Sequence, residues 1–328
     1  MAERNDARAT EKSASPAPET HADLGMGEVA GEFHSGFVTL VGRPNAGKST
    51  LVNAVVGTKV AITSSTPQTT RHRFTAVHEE PWAQIVMVDT PGIHKPIDAL
   101  GEELNRSAIQ ALADVDVIAF LIDATKTVGK GDEWIARHLA DSKAHKVLVI
   151  TKSALADQAQ VDRQVERAQA LASFEATVVL SALEGVNVDG FIALISSLLP
   201  EGPRWFPEGT DTDQPLEVII AEFIREKILR STTDEVPHAV GVMTDDLEYD
   251  KKKDLYRIFA TVYVEHESQK GIIIGAKGAK IKQIGSEARE DLEHFLGGRV
   301  FLDLRVKVKK DWRRDAAQIR RFGYGEGL

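Results

Sequence analysis

The sequence has no cysteine, which excludes disulfide bonds, disulfide-linked partners and thiolate metal sites. It also has no apolar run near the roughly 20 residues that a membrane-spanning helix requires. Aromatic residues form only 6% of the chain, although 42% of its residues are hydrophobic. This content lets 328 residues bury a sizeable core without covalent staples, and the length favours about two domains.

The N-terminal stretch lacks an apolar segment. Residues 1–33 are rich in Ala, Glu, Thr and Pro and contain no hydrophobic centre of the kind that a signal peptide has. Such a stretch buries too little apolar surface to offset the entropy lost on ordering. We therefore predict a disordered tail over residues 1–33.

Acidic residues outnumber basic ones, and the net charge of −9 does not by itself suggest a nucleic-acid partner. The charge is unevenly distributed, however. From Lys270 to the C-terminus the chain has 14 Lys and Arg against 8 Asp and Glu, a balance of +6, which leaves −15 for the remainder. This split indicates a local basic face on the C-terminal part, either a contact surface for an anionic partner or a solvated lysine-rich surface.

Apolar, β-branched runs alternate with helix-period segments over residues 34–199, which is typical of a mostly parallel sheet covered by helices. The second and third runs are too close for an intervening helix, so we expect them to pair as an antiparallel hairpin at one edge. The predicted strands are 37–42, 73–78, 84–90, 115–123, 145–151 and 176–182.

A segment rich in Pro, Gly and Asp, residues 200–215, is predicted to link this domain to a second one over residues 216–328. The second domain has the pattern α-β-β-α-α-β of a small α+β unit. Its predicted elements are an amphipathic helix over 216–230, strands near 238–243 and 255–266, a Gly-rich turn, a helix to about residue 296 and a strand over 300–308.

A glycine-rich loop follows the first strand and opens a helix. Its sequence, GRPNAGKS, matches the pattern G-x-x-x-x-G-K-[ST] in the strand–loop–helix context that confirms such a match. Glycines allow the backbone to wrap around phosphates, and successive N–H groups present positive potential to an anion. The predicted nucleotide contacts here are Gly42, Arg43, Pro44, Asn45, Ala46, Gly47, Lys48, Ser49 and Thr50.

Ser49, together with Asp89, Thr70 and Gly92, forms a predicted metal and γ-phosphate site. The Ser49 hydroxyl is expected to bind Mg²⁺ directly, and Asp89, at the end of the third strand, through water. Thr70, in the loop PQTTRH, is expected to complete the coordination only when a γ-phosphate is present. Gly92 offers a backbone N–H to that phosphate, so Lys48, Thr70 and Gly92 are the predicted contributors to catalysis.

The chain resembles the Era family of GTPases from about Gly36 to Arg314. The resemblance rests on GRPNAGKST, PQTTRHRF, VDTPGIH, LPEGP, YVEHESQKGIIIGAKGAKIKQIG and VFLDLRVKVKKDW. It implies an α/β P-loop GTPase domain followed by an α+β KH type II domain. It further implies binding of GTP and GDP with Mg²⁺, GTP hydrolysis, and binding of the 3′ end of 16S ribosomal RNA during assembly of the 30S subunit. A cytoplasmic location, with peripheral attachment to the anionic inner membrane, is implied as well.

The sequence departs from this family where guanine is bound. The family's Asn/Thr-Lys-x-Asp tetrapeptide corresponds to Thr151-Lys152-Ser153-Ala154, so the carboxylate that pairs with guanine is missing. Losing a charged hydrogen-bond partner costs about 1.5–3 kcal/mol, so we expect weaker GTP binding with less discrimination against ATP. Asp157 is a candidate substitute acceptor. The backbone N–H groups of Ser181 and Ala182 are expected to bind the guanine oxygen, as the family resemblance implies.

Catalytic side chains are incompletely specified. Ile93 follows the DTPG segment where many GTPases have a water-orienting glutamine, so slow intrinsic hydrolysis is expected. His72 and His94 lie in loops near the site, where isolated histidines are more often solvated than catalytic. The ten histidines form no metal-ligand spacing.

A second glycine loop, GAKG, joins two predicted helices of the α+β domain. KH domains clamp about four nucleotides of single-stranded backbone across such a loop. Ile273, Ile281 and Ile284 are expected to form core, to face the bases, or both. The predicted RNA contacts are Gly275, Ala276, Lys277, Gly278, Lys280, Lys307, Lys309 and Arg313.

Three functions are consistent with these patterns. A GTP-driven switch coupled to RNA is favoured. An RNA-binding ribosome assembly factor with weakened guanine selectivity stays open because of Ala154. A P-loop kinase or ATPase for a small substrate is disfavoured, because it leaves the second domain unexplained.

Overall fold

The structure is a computed structural model that describes residues 33–66, 69–92, 98–113 and 115–324. The predicted disordered tail, apart from Phe33, and the expectations for Ile93 and His94 lie outside the described residues. No helix in these ranges is long and apolar enough to cross a membrane.

The first domain is built on a six-stranded sheet with the order β2-β3-β1-β4-β5-β6. All neighbouring strands are parallel except β2 and β3, which form an antiparallel hairpin at one edge as predicted. The strands are β1 (His34–Gly42), β2 (Phe74–Glu80), β3 (Ala83–Asp89), β4 (Val117–Asp123), β5 (His145–Thr151) and β6 (Ala176–Val179).

Helices cover both faces of this sheet. One core layer packs the first and fifth helices against it, and a second layer packs the third and fourth helices against the opposite face. Strands β3 and β4 are buried along their whole length because each lies between two neighbours and under both layers. The helices are α1 (Lys48–Val56), α2 (Ala99–Gln110), α3 (Lys130–Leu139), α4 (Gln158–Gln169) and α5 (Val188–Leu198).

The segment predicted as a linker, residues 200–215, packs along the β2–β3 edge of the first domain. Gln84 accepts hydrogen bonds from the backbone N–H groups of Trp205 and Phe206 at 2.8 and 3.0 Å. Farther along, the Val77 N–H donates to the Asp211 carbonyl at 2.9 Å. The segment therefore covers the outer edge of β2, which would otherwise expose unpaired backbone groups.

The second domain has a three-stranded sheet, β7-β8-β9, with β7 and β8 antiparallel and β8 and β9 parallel. Two long helices pack on one face, and their apolar residues form a single core with the sheet. The elements are α6 (Leu216–Ser231), α7 (Val236–Ala239), β7 (Gly241–Asp250), β8 (Leu255–Val264), α8 (Glu267–Ile274), α9 (Ala279–Leu296), β9 (Arg299–Val308) and α10 (Ala316–Arg321).

Two sequence predictions for this domain are wrong. Helix α6 is not amphipathic, because every residue from Ile219 to Leu229 is buried, including charged ones. The polar side of α6 is covered by the first domain and does not face water. The strand predicted near 238–243 begins only at Gly241, because the preceding residues form the short helix α7, with Pro237 in its first turn.

The C-terminal segment joins the two domains. Trp312 and Tyr324 are fully buried and pack with Leu100 and Leu104 of α2 in one apolar cluster. Asp98, which caps α2, forms an ion pair with Arg313 at 3.2 Å. The helix that follows the DTPG segment therefore rests on the second domain.

Candidate nucleotide and RNA sites

The glycine-rich loop between β1 and α1 forms the floor of a cavity of about 290 Å³. Helix α1 begins at Lys48 without a side-chain cap, so the N–H groups of its first turn are free to bind an anion. Gly47 has a φ of 95°, a conformation that favours glycine. Many of the predicted nucleotide and metal contacts line the cavity. They are Pro44, Asn45, Gly47, Lys48, Ser49, Thr50, Thr70, Gly92 and Lys152.

The Lys48 ammonium group is buried at the base of this cavity. Its Nζ donates to the Gly42 carbonyl at 3.3 Å. Burial lowers the pKa of Lys48, and the negative charge of Asp89 partly offsets this effect. A buried cation with so few partners is well suited to bind a phosphate, which would supply the missing charge.

Three oxygen-bearing side chains converge beside Lys48. The Ser49 and Thr70 hydroxyls lie 2.8 Å apart, and Ser49 donates to Asp89 Oδ2 at 3.1 Å. Thr70 Oγ1 lies 3.3 Å from the same carboxylate oxygen. Asp89 Oδ1 is buried and has no hydrogen-bond partner among the described residues. Burial raises the pKa of Asp89, while the positive charge of Lys48 acts in the opposite direction.

These residues fit a hard divalent cation. Hydroxyl and carboxylate oxygens are the ligands that Mg²⁺ takes in proteins, together with substrate phosphates and water. A cation held by the Ser49 and Thr70 hydroxyls would also offset the negative charge of the buried Asp89 carboxylate. No cluster of three His, Asp or Glu side chains suited to a metal occurs in the described ranges, so this hydroxyl-rich site depends on the substrate for further ligands.

Gly92 lies directly opposite the phosphate loop. A Cβ atom at this position would sit 3.2 Å from the Pro44 backbone and 3.3 Å from Lys48 Nζ. Any other residue would therefore intrude on the space where the terminal phosphate is expected. The backbone of Gly92 approaches the cavity closely because it has no side chain.

The tetrapeptide that corresponds to the family's guanine-binding motif adjoins the phosphate loop. Thr151 Oγ1 donates to the Ala46 carbonyl at 2.7 Å, and Lys152 Nζ donates to the Asn45 carbonyl at 2.7 Å. Lys152 also pairs with Asp123 at 2.7 Å. Burial acts to raise the pKa of Asp123, but hydrogen bonds from Lys152 and a neighbouring threonine hold it below its usual value.

The base-binding side of the site differs in part from the sequence expectation. Ala154 is exposed and offers no acceptor. Asp157 caps α4 instead, since its carboxylate accepts from the Gln160 N–H at 2.7 Å. The Ser181 N–H donates to the Val186 carbonyl at 3.0 Å. Of the two backbone donors expected for the guanine oxygen, Ala182 is therefore the better candidate.

Other predicted contacts are turned away from the cavity, and several lining residues were missed. The Arg43 guanidinium pairs with Asp132 at 3.0 Å, because α3 presents that carboxylate beside the loop. The Gly42 and Ala46 carbonyls accept hydrogen bonds from Lys48 and Thr151. A run of small hydroxyl residues before the PQTTRH loop was a usable signal for part of the missed set. The missed lining residues are Ile62, Thr63, Ser64, Ser65, Thr69 and Lys126.

His72 is neither solvated nor directed at the cavity. Its ring is buried, and Nδ1 lies 3.0 Å from the Gly323 carbonyl in the C-terminal segment. Nε2 lies 3.6 Å from the Glu222 carboxylate of α6. The expectation of a solvated loop histidine is therefore wrong, because the second domain covers this loop.

The glycine loop of the second domain has the geometry of a backbone clamp. Gly275 has a φ of 70°, and a Cβ there would lie 2.7 Å from Lys280 Cβ. Gly278, with a φ of 78°, precedes α9 without a side-chain cap, which leaves N–H groups at the helix start. Ala276 and Lys277 are exposed at the tip of the loop.

A groove runs from this loop between α9 and β9. Its lining includes Ile281, Lys282, Arg289 and Phe301, and its volume is about 420 Å³. Ile273 and Ile284 are fully buried in the core, whereas the half-buried Ile281 faces the groove. The groove therefore combines an apolar floor with basic side chains.

The basic C-terminal residues divide into two groups. Lys307 and Lys309 are exposed on and just after the edge strand β9. Arg313, predicted to bind RNA, instead forms ion pairs with Glu265 at 2.7 Å and Asp98 at 3.2 Å. Its guanidinium is engaged between the two domains, which the sequence did not reveal because Asp98 is 215 residues away.

The fold and these two sites define a P-loop nucleotide-binding domain followed by a KH domain. The family model described as 50S ribosome-binding GTPase matches residues 37–152, and the KH domain model matches residues 235–313. The chain is 44% identical over 295 residues to GTPase Era of Staphylococcus epidermidis, which covers 90% of this chain and 98% of that protein. The chain belongs to the Era family of GTPases.

Two crystal structures of Era proteins resemble this fold with a TM-score of 0.86 each and cover 90% of this chain and all of theirs. One is a variant of Era from Aquifex aeolicus bound to GDP and AlF4⁻, at 38% identity. The other is an Era complex with MgGDPNP and nucleotides 1506–1542 of 16S ribosomal RNA, at 39% identity.

Proposed function

We propose that this chain binds GTP in the cavity above the glycine-rich loop, hydrolyses it slowly with Mg²⁺, and uses this cycle to control RNA binding by the KH domain. The observation that carries the nucleotide proposal is the convergence of Ser49, Thr70 and Asp89 beside the buried Lys48. The related Era structures with GDP and AlF4⁻ and with MgGDPNP support this proposal.

The residues around the cavity have separable roles. Lys48 binds the terminal phosphates, and the free N–H groups of α1 bind the phosphate chain. Mg²⁺, when bound, neutralises charge on the terminal phosphates. The Thr70 hydroxyl would bind the cation when a γ-phosphate is present, and the Gly92 N–H would bind that phosphate. Among the described residues that line the cavity, none has an imidazole or carboxylate that could act as a general base, and Asp89 is committed to the metal site, so slow turnover is expected.

Introducing the missing carboxylate by Ala154→Asp should raise the affinity for GTP and GDP by roughly ten- to a hundredfold. The reason is that the carboxylate accepts two hydrogen bonds from guanine, which adenine does not offer. Titration calorimetry with GTP, GDP and ATP in the presence of Mg²⁺ measures this change. ATP affinity should stay within a factor of about two, since ATP gains no partner for the new group.

Ala159→Asp is the matched control. It adds the same charge at an exposed position on α4, where an acidic side chain favours the helix start. GTP affinity should be unchanged in this variant. If the natural chain already prefers guanine over adenine nucleotides by a thousandfold, the expected loss of guanine selectivity is wrong. If no nucleotide binds even to Ala154→Asp, the assembly-factor alternative, with an inactive nucleotide domain, replaces the switch.

For the second domain we propose binding to single-stranded RNA at the 3′ end of 16S ribosomal RNA. The open glycine loop and the adjoining apolar groove support this proposal, as does the RNA-bound Era relative. Gly275 and Gly278 allow close approach of the sugar-phosphate backbone, while Lys277 and Lys280 supply charge beside it. Lys307 and Lys309 extend the basic surface along β9.

Charge reversal at the loop tip, Lys277→Glu, should weaken RNA binding by about tenfold at 0.15 M salt, because a phosphate contact becomes repulsive. Fluorescence anisotropy with an oligonucleotide that covers nucleotides 1506–1542 of 16S ribosomal RNA measures the affinity. The control is Lys251→Glu, the same change in the exposed β7–β8 turn. Equal losses in both variants would show a general charge effect rather than a clamp.

We propose that these activities serve assembly of the 30S subunit in the cytoplasm. The favoured partner is the small-subunit ribosomal RNA, because the groove combines apolar and basic side chains and a related Era protein binds a 16S ribosomal RNA fragment. The exposed Lys307 and Lys309 also suit a peripheral contact with anionic lipid headgroups.

A further inference from the structure

The metal-site residue Thr70 lies in a loop whose neighbouring residues, Thr69 and Arg71, both form hydrogen bonds with the second domain. On the N-terminal side, the Thr69 carbonyl accepts a hydrogen bond from Arg225 Nη2 of α6. On the C-terminal side, Arg71 donates to the Val240 carbonyl at 2.5 Å and to the His238 carbonyl at 3.0 Å. The residues on both sides of Thr70 are therefore held by contacts with the second domain.

Arg225 is a buried, oriented cation rather than a surface arginine. Its Nε and Nη2 atoms donate to the two Glu222 carboxylate oxygens at 2.7 and 2.5 Å. Burial acts to lower the pKa of Arg225, but the charge and hydrogen bonds of Glu222, together with smaller contributions from Tyr324 and Glu226, raise it above its usual value. Burial likewise acts to raise the pKa of Glu222, and Arg225 holds it far below its usual range. The pair stays charged at neutral pH, so its geometry is set by a bidentate contact.

Helix α6 also holds the other end of the loop. Glu226 accepts from the Thr63 N–H at 2.9 Å and pairs with Lys59 at 2.5 Å. The described parts of residues 59–72 thus contact one buried helix at both ends. Arg225 is distinguished within this set because its acceptor, the Thr69 carbonyl, belongs to the peptide unit that leads directly into Thr70.

We propose that Arg225 is a positioning residue for the metal site: it holds the Thr69–Thr70 peptide so that the Thr70 hydroxyl faces Ser49 and Asp89. This inference rests on the proposed GTP and Mg²⁺ site. Arg225 is not among the residues that line the cavity, so its effect on the metal site passes through the Thr69–Thr70 peptide. Its effect is confined to the triphosphate state, because Thr70 is expected to bind the metal only when a γ-phosphate is present.

The test is Arg225→Gln in the full chain, with steady-state GTP hydrolysis measured across a Mg²⁺ titration. The Mg²⁺ concentration for half-maximal hydrolysis should rise by about tenfold, since a charged hydrogen bond that orients a ligand is lost. GDP affinity, measured by calorimetry, should stay within a factor of about two, because GDP does not engage Thr70. Retained GDP binding also shows that the phosphate site is folded.

Three further variants separate positioning from general destabilisation. Arg225→Lys keeps the charge and should give an intermediate Mg²⁺ requirement. Glu222→Gln weakens the orientation of Arg225 and should shift the requirement in the same direction by a smaller factor. Arg230→Gln is the matched control, since Arg230 lies on the same helix, is half exposed and contacts Thr63 instead of Thr69. It should leave the Mg²⁺ requirement unchanged.

The outcomes distinguish this inference from the function on which it rests. If the natural chain hydrolyses GTP and Arg225→Gln binds GDP normally but shows no shift in Mg²⁺ requirement, the positioning role is wrong. An equal loss of GDP and GTP binding would also overturn it, because that pattern reports a damaged domain. If the natural chain itself shows no Mg²⁺-dependent hydrolysis, the proposed function fails instead.

Discussion

Replacing Lys48 by methionine should weaken GTP binding by at least about a hundredfold, because the cavity loses its only buried cation among the described residues. Methionine has a similar length, so the cavity keeps its shape. The ammonium group lies beside the Gly42 carbonyl at 3.3 Å and has a pKa lowered by burial, so it is poorly compensated without a phosphate. Removing it also takes away the positive charge that offsets the burial of Asp89, so the nucleotide-free protein should be no more stable than before.

Calorimetry with GTP and GDP and thermal unfolding without nucleotide check this expectation together. The matched control is Lys126→Met, because Lys126 also lines the cavity but its side chain is 53% exposed. Its loss should reduce affinity by less than about threefold, the range of a solvent-screened charge. GTP binding by Lys48→Met that falls within threefold of the natural chain would contradict the phosphate site.

Truncating the buried tryptophan of the C-terminal segment, Trp312→Ala, should lower the free energy of unfolding by about 3–5 kcal/mol. The indole is fully buried and packs against Phe322 at 4.8 Å between ring centroids. Its Nε1 donates to the Ala239 carbonyl at 2.9 Å, so the change leaves a buried acceptor without its partner as well as a cavity. Urea unfolding followed by circular dichroism measures the loss.

Trp82→Ala makes the same change at a tryptophan that is 53% exposed in the β2–β3 turn. The two variants remove the same side chain but differ in how far it is buried. The free energy of unfolding of Trp82→Ala should therefore fall by less than about 1 kcal/mol. Similar losses at both positions would mean that the C-terminal segment is not packed against the body of the protein. A large loss at Trp312 alone supports its role in joining the KH domain to α2.

The phosphate loop could be located from sequence because it depends on local chemistry. Gly47 needs its left-handed backbone, and Lys48 needs to start a helix, so the residue types and their spacing are fixed over a few positions. The same holds for Gly275 and Gly278 in the KH loop. The alternation of apolar runs similarly predicted the parallel sheet and its antiparallel edge.

The roles of charged side chains could not be predicted in the same way. The helix over residues 216–230 was predicted to be amphipathic, with its charged side in water, since charged residues are mostly exposed. Glu222 and Arg225 are buried because the first domain covers this side of α6, and each compensates the other's charge. Arg313 suggested an RNA contact for the same reason, but Asp98 and Glu265 enclose it.

The sequence by itself determined the two glycine loops and the sheet, because each is a property of residues close together in the chain. The family resemblance added the expectation that Ala154 replaces the base-binding carboxylate. Only the tertiary structure decided that α6 lies between the domains and that Arg225 contacts the peptide before Thr70. Arg225 and Thr69, which form this contact, are 156 residues apart in the chain. Whether such charged side chains are solvated or paired with each other depends on which surfaces pack together. A local sequence pattern does not predict that packing.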